Sequence, residues 1–447
     1  MKNKICLILF WVIFSDVFTA QEKHIMSLEE AIRYALTYKA DALKAGLNIE
    51  KSAIQIKEVR ANVYPRIEVV GNTTYNPLLQ KTLLPGEVMG KPGITVPVTF
   101  GQKWTSNMSA RLTQVIFNQS VFVGLKAAKS SREFYLLNKE LTDQQIIEKV
   151  SITYYKVYKS KQMLENLYSN LEISQKSMNI VKGLYDAGLA KRIDYDRSLV
   201  GFNNLKATER QLINARDINE NTLKFIMGMP INTKIDLPDD TFSSSILPVV
   251  QDSISQHNRT ELRVLAKQIE LLEWQKKSSE AEYYPTLSFT ANYGWYGQGR
   301  NIPLWNGSSN AVSWSSFAAV GLNLNIPIFT GFATKSKVEK SAIEIELAKA
   351  ELKDTKLALD LEYENSLSSL QNSLITITNQ EKNLMLAQKV LEDTQNNYRY
   401  GLATLNDILI AEKDLAAAKN DLTEARLDYK IAEIEYLKSQ GKIDQIK

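Results

Sequence analysis

Apolar residues recur every seven positions over two long stretches, at Val150, Val157, Leu164, Leu171, Met178 and Tyr185, and again at Tyr363, Leu370, Ile377, Leu384, Leu391 and Tyr398. A seven-residue period sustained this far places one apolar seam along a helix and demands a second helix to cover it. A third series, Ile408, Leu415, Leu422, Tyr429 and Tyr436, supplies a candidate partner. No proline interrupts residues 119–229 or 328–447. A helix over 120–184 would run roughly 95 Å at 1.5 Å per residue, beyond the span of a globular helix.

The two heptad stretches belong to an internal duplication. Val63-Tyr64-Pro65-Arg66-Ile67-Glu68-Val69 aligns with Tyr283-Tyr284-Pro285-Thr286-Leu287-Ser288-Phe289 at an offset of 220, and Tyr185-Asp186-Ala187-Gly188-Leu189-Ala190 aligns with Tyr398-Arg399-Tyr400-Gly401-Leu402-Ala403 at an offset of 213. The change in offset puts a longer insertion in the first half, most simply in the loop at 76–103. Each half then reads helix, two strands, very long helix, turn, return helix. This overrides the two or three globular domains that a chain of 447 residues would otherwise suggest.

The strands alternate with period two. Leu287, Phe289, Ala291, Tyr293 and Trp295 share one face, against Thr286, Ser288, Thr290 and Asn292. In the partner strand Trp314, Ala318, Val320, Leu322, Leu324 and Ile326 face one way, with Asn323 and Asn325 opposed. The first-half pair is more polar: Ile67, Val69, Thr73 and Tyr75 oppose Arg66, Glu68 and Asn72, and Met108, Ala110, Leu112 and Ile116 oppose Asn107, Ser109, Arg111 and Thr113. Such segments suit a transmembrane β-barrel with one face in lipid and a polar face on a watery lumen. The predicted strands span about 66–76, 104–116, 286–296 and 314–326. Tyr75, Trp104, Trp295 and Trp314 fall toward the loop ends, and Tyr64 and Tyr284 at the helix ends, where interfacial aromatics belong. Four strands cannot close alone, because open edges would leave backbone groups unpaired in lipid, so several copies must share one barrel.

Residues 1–20 read as a secretory signal, with Lys2 and Lys4 before an apolar run from Ile5 to Phe14 and small residues at Thr19-Ala20. The single cysteine, Cys6, lies inside that segment, so the processed chain forms neither disulfides nor thiolate metal sites. The net charge of +4 is spread over 54 basic and 50 acidic residues and gives no footprint for nucleic acid. The only histidines are His24 and His257, which exclude a catalytic triad or a multi-histidine metal site in one chain. His257 reads as a solvated helix start. The stretch from Gly86 to Lys91 is one residue short of a phosphate loop and is followed by Pro92, which leaves it as part of the first extracellular loop. No catalytic residue, cofactor or metal is expected, and the chain is read as a non-enzyme.

Gly188 and Gly401 stand where long helices must reverse, a position suited to glycine. Asp194 and Asp407 open the return helices, where a carboxylate favours the positive end of the helix dipole.

Taken together, these residues resemble the TolC-type outer-membrane factors, the outer membrane efflux protein family. The markers are Tyr64-Pro65 and Tyr284-Pro285, where the family usually has Leu-Pro; Ile326-Pro327-Ile328-Phe329-Thr330-Gly331 at the strand-to-helix return, matched in the first half only by the phenylalanine of Val115-Ile116-Phe117-Asn118-Gln119; and a Tyr-x-x-Gly turn followed by Asp, present as Tyr185, Gly188, Asp194 and as Tyr398, Gly401, Asp407. The resemblance covers nearly the whole processed chain. It implies a mixed membrane fold in which a homotrimer builds a twelve-strand β-barrel continuous with a twelve-helix α-barrel of coiled-coil helices. It also implies an exit duct for a tripartite efflux pump or type I secretion system, with a periplasmic adaptor (membrane fusion protein), an inner-membrane transporter of RND or ABC type and outer-membrane lipid as partners. The expected segments are a signal at 1–20, a first repeat at 21–229, an equatorial linker at 230–257 and a second repeat at 258–447. The belt is expected to use residues 21–40, the polar proline-bearing stretch from Met229 to Asn258 and the C-terminal tail.

The resemblance further implies a periplasmic gate at Asp194, Tyr398 and Asp407, in which Asp194 bonds Tyr398 and Asp407 forms a ring of charge. An adaptor-contacting tip is implied at Gly188, Leu189, Ala190, Gly401, Leu402 and Ala403. The chain departs from the pattern where a basic latch residue is replaced by Ala403 and a second ring carboxylate by Ile410. A periplasmic coiled-coil adaptor would share the long helices but not the lipid-facing strands. A diffusion porin would share the barrel but not the paired heptads.

Overall fold

The computed structural model describes residues 24–238, 259–303 and 311–446. The expected signal, residues 239–257 of the expected linker and His257 lie outside the described residues. The first half contains β1 (His24–Ile25), α1 (Leu28–Tyr38), α2 (Ala40–Ala61), β2 (Arg66–Tyr75), β3 (Lys81–Pro85), β4 (Thr95–Thr99), β5 (Trp104–Phe117), α3 (Gln119–Asp186), α4 (Arg192–Met227) and β6 (Ile235–Asp236). The second contains α5 (Thr260–Glu280), β7 (Thr286–Gly299), β8 (Val312–Asn325), α6 (Ala333–Arg399) and α7 (Leu405–Ser439). Helices α3 and α6 run for 68 and 67 residues. The described residues form two compact units, one from within 45–140 and 260–357, the other from within 24–44, 141–238 with Arg259, and 358–446.

The first unit holds an antiparallel sheet of order β2-β5-β7-β8, in which the two hairpins meet through β5 and β7. Register brings the apolar residues of all four strands onto one face. Ile67, Leu112, Ala291 and Val320 form one cross-strand row, and Val69, Ala110, Tyr293 and Ala318 the next. The opposite face carries Glu68, Arg111, Asn292 and Ala319 in a row, with Arg111 Nη1 3.9 Å from Glu68 and Arg111 Nε donating to Asn292 Oδ1 at 3.2 Å. Strands β7 and β8 reach 14 residues each, longer than the alternation alone marks out, because pairing continues past the aromatic positions to Gly299 and Val312. A bulge between Val115 and Phe117 makes Phe117, rather than Ile116, the partner of Leu287. The extra residue of a bulge shifts which side chain faces outward, which strict alternation cannot anticipate. The insertion at 76–103 folds as the β3–β4 hairpin around a short 3-10 turn, Gly86–Met89, where Gly86 is packed under the backbone of Lys91 and Ile94.

In the second unit the first helical segment of the chain is not one helix. It breaks at Lys39, whose ψ is 132°, without proline or glycine. The cause is tertiary: Gly228, at φ +77°, ends α4 directly against Tyr38 and Lys39, and Lys39 Nζ donates to Phe225 O at 3.0 Å. A lysine there satisfies a terminal carbonyl and favours the negative end of α4. Strands β1 and β6 pair in parallel, and Tyr154, fully buried on α3, donates to Met26 O at 3.0 Å. Around this point Ile32, Val150, Leu223, Met227, Ile434 and Ile443 close one core. Arg259, 4% exposed, donates to Ser439 O at 2.7 Å and to Glu362 at 3.1 Å, while Lys438 bridges Glu148 and Glu362. A buried guanidinium is tolerable only with such partners.

Gly188 and Gly228 share φ +77°, but a Cβ at Gly188 would meet open space and one at Gly228 would lie 2.9 Å from Tyr38 O. Gly188→Ala should therefore cost only the left-handed backbone penalty of about 1–2 kcal/mol. Gly228→Ala should lower the melting temperature of the purified protein further, and equal shifts would show that the α4 end does not press on the α1–α2 break.

Candidate functional site

Helices α3 and α6 each end in a left-handed glycine, Gly188 at φ +77° and Gly401 at φ +73°. The closing hydrogen bonds are the same in both. Gly188 N donates to Tyr185 O and Leu189 N to Leu184 O, as Gly401 N does to Tyr398 O and Leu402 N to Asn397 O. This pattern satisfies the last helical carbonyls, and the return helix begins after five residues in each half. It also pushes the next side chain into solvent: Leu189 and Leu402 are both 78% exposed, with half-buried Ala190 and Ala403 behind them. One chain thus presents, twice, an exposed leucine flanked by a small residue.

The two turns differ one step later. Thr404 caps α7 with a full capping box: Asp407 N donates to Thr404 Oγ1 at 3.3 Å, and Thr404 N donates to Asp407 Oδ2 at 2.8 Å. Thr404 N, and the Thr404 hydroxyl donating to Oδ2 at 2.7 Å, hold the exposed Asp407 carboxyl below the usual range. The sign follows: the cap's contribution is present above the ordinary aspartate value and is lost as pH falls through the lowered one. At the equivalent point before α4 stands Lys191, with no side-chain cap, so Asp194 in the third helical position has no such lock. Its charge instead reaches Tyr398, whose phenol is held above its usual range first by burial and then by Asp194. Among the described residues no hydrogen bond joins Asp194 to Tyr398. The structure thus brings two of the three expected gate residues within electrostatic reach and ties the third to its own helix.

The expected interfacial aromatics do not lie at one depth. Tyr75 and Trp104 are paired at the loop end of β2 and β5, with ring centroids 4.7 Å apart. Trp314 lies over Gly297 on the second hairpin, and Trp295 pairs with Met108, four residues further in. Trp295 is thus roughly 13 Å along the strand from the Tyr75–Trp104 row at 3.3 Å per residue. Tyr64 and Tyr284 are exposed beside Pro65 and Pro285 at the helix-to-strand junctions. Among the described residues no cluster of metal-ligating side chains occurs, and no helix is long and apolar enough to cross a membrane. The latter says nothing against a β-barrel.

Sequence reasoning treated Asp194 and Asp407 as equivalent. The signal that separates them is the residue three positions earlier, lysine in one half and threonine in the other. Thr404→Ala should speed hydrogen exchange at the Asp407 amide, losing about 1 kcal/mol of local stability. Lys191→Thr should slow it at Asp194. Unchanged rates in both variants would contradict the assigned asymmetry.

Comparison with known proteins agrees with this geometry. A profile described as outer membrane efflux protein matches residues 31–229 and 253–441. The probable efflux pump outer membrane protein TtgC of Pseudomonas putida is 20% identical over 424 residues, covering 94% of this chain and 83% of that protein. Among solved structures, the outer membrane protein VceC of Vibrio cholerae superimposes with a TM-score of 0.71 at 16% identity, covering 93% of this chain and 96% of that one. The MtrE outer membrane channel of Neisseria gonorrhoeae, solved in an open state, gives 0.72 at 16% identity, with 93% and 89% covered.

Proposed function

The chain belongs to the outer membrane efflux protein family, and from that premise we propose that three copies share one barrel and one helical tunnel through which small molecules leave the cell. The protein is an outer-membrane exit channel of a Gram-negative bacterium and not an enzyme. One observation carries the shared-barrel reading: a four-stranded sheet with apolar rows running across all four strands, ending in the open edges β2 and β8. From the Leu287 row to the Trp314 row is roughly 33 Å along the strands, which a barrel tilt near 40° reduces to about 25 Å, the height of an outer-membrane apolar band.

The turns around Gly188 and Gly401 are the footing for a periplasmic adaptor, through Leu189, Ala190, Leu402 and Ala403. The named relative is an efflux pump component, which supports an adaptor and an inner-membrane transporter as partners here. A passive duct has no energy source of its own, so the transporter supplies it. Asp194, Tyr398 and Asp407 form the periplasmic gate. With Ala403 and Ile410 in place of charged residues, the closed state rests on few polar links, in keeping with the lack of an Asp194–Tyr398 hydrogen bond among the described residues. Threefold repetition of Asp407 sets a ring of exposed carboxylates at the mouth, an arrangement that favours cations.

Single-channel recording in planar bilayers tests both parts. The purified protein should conduct with a cation preference, and Asp407→Asn should weaken that preference while leaving the oligomer intact. No conductance would sink the duct, and an unchanged preference would remove Asp407 from the selectivity ring.

A further inference from the structure

We infer that α3, α4 and α7 enclose a binding site for a small organic ammonium ion, with the Glu412 carboxylate as its counter-ion. A cavity of about 450 Å³ opens between these helices, walled by Ile173, Leu205, Leu409 and Leu415, with Asn204 and Glu412 among its polar lining. Glu412 Oε1 is buried and has no hydrogen-bond partner. Ser177, whose hydroxyl accepts from Gln395 Nε2 at 3.2 Å, is the neighbour that counters the effect of burial on this carboxyl. This oxygen therefore lacks the donor that a buried acceptor requires.

The void has a local cause. Two seam positions of α3 here are serines, Ser174 and Ser177, and α4 contributes Gly201, where a Cβ would still be 3.9 Å from Leu409. Serine and glycine at positions that leucine would fill leave volume behind. The duplication supplies an internal control. The 213-residue offset that carries Asp194 onto Asp407 puts Leu199 where the second half has Glu412, Ala387 in place of Ser174 and Val390 in place of Ser177. The duplicated positions carry apolar side chains, so the repeat itself does not call for a carboxylate at this level.

The chemistry selects the ligand class. Apolar walls favour a hydrocarbon body, and a desolvated carboxylate oxygen favours a cationic N–H donor over a neutral one. Burial raises the Glu412 carboxyl above its ordinary range. A bound ammonium favours the ionised form, so binding and protonation compete and affinity falls as pH drops through the raised value. No residue of α3 or α4 lining the cavity is charged, and α6 presents the neutral Gln395 to Ser177. On α7, Lys413 lies at the cavity but is exposed, and Lys419 is engaged by Ser169 and Asn170.

The test is isothermal titration of the detergent-purified full-length oligomer with benzylammonium, using benzyl alcohol as its neutral counterpart. Benzylammonium should bind saturably, one per chain, and benzyl alcohol should not. Loss of the charge-assisted bond in Glu412→Gln should weaken binding about tenfold or more. Leu205→Trp should block it by filling the cavity, and lowering the pH should weaken it in the wild type alone. Absence of saturable binding, equal binding of the alcohol, or an unchanged affinity in Glu412→Gln would each leave the cavity as a water pocket and overturn the assignment. None of these results bears on whether the protein conducts.

Discussion

A β-strand edge in hydrocarbon leaves a row of N–H and C=O groups without partners, at several kcal/mol for each unsatisfied group. Strands β2 and β8 are such edges, and the sheet between them carries rows such as Ile67–Leu112–Ala291–Val320 and Val69–Ala110–Tyr293–Ala318 on one face. Other features of the chain answer to this constraint. The Glu68–Arg111–Asn292 row pairs its polar groups across strands on the opposite face, which makes that face compatible with a water-filled lumen. The β5–β7 pairing joins the two repeats into one sheet, so each chain supplies a fixed arc of wall rather than two separate hairpins.

The helices obey a different rule. Away from lipid, the seam is closed by heptad packing, and all five predicted positions of α7, from Ile408 to Tyr436, are buried. On α3 the rule holds at Val150, Val157 and Leu164 but loosens toward the turn, where Leu171 and Met178 are only partly covered while Ser174, Ser177 and Val181 are buried. Small polar residues on the seam carry no hydrophobic signal, so a search for apolar periodicity passes over them. The loosened stretch is also the one that contains the Glu412 cavity.

This contrast marks what could be read from the chain before its structure. Strand faces were legible at Leu287, Phe289, Leu322 and Leu324 because period-two alternation and lipid burial select the same side chains. Helix ends were legible at Gly188 and Gly401 because a left-handed cap all but requires glycine. The break at Lys39 was not, since its cause is Gly228 and Phe225, nearly two hundred residues away in sequence. The bulge before Phe117, the buried Arg259 network and the unequal capping of Asp194 and Asp407 were missed for a related reason. Each depends on which neighbour a backbone or side-chain group finds, and residue periodicity does not carry that information.

The account rests on β2 of one copy completing its ladder on β8 of the next. Residues 24–446 contain no cysteine, so single cysteines can be placed along both strands without background. Oxidation of such pairs in native outer membranes should give covalent products that end at three chains, with the reactive pairs confined to one antiparallel register. Absence of cross-links at every pair, or a ladder extending past three, would contradict a barrel wall shared by three copies.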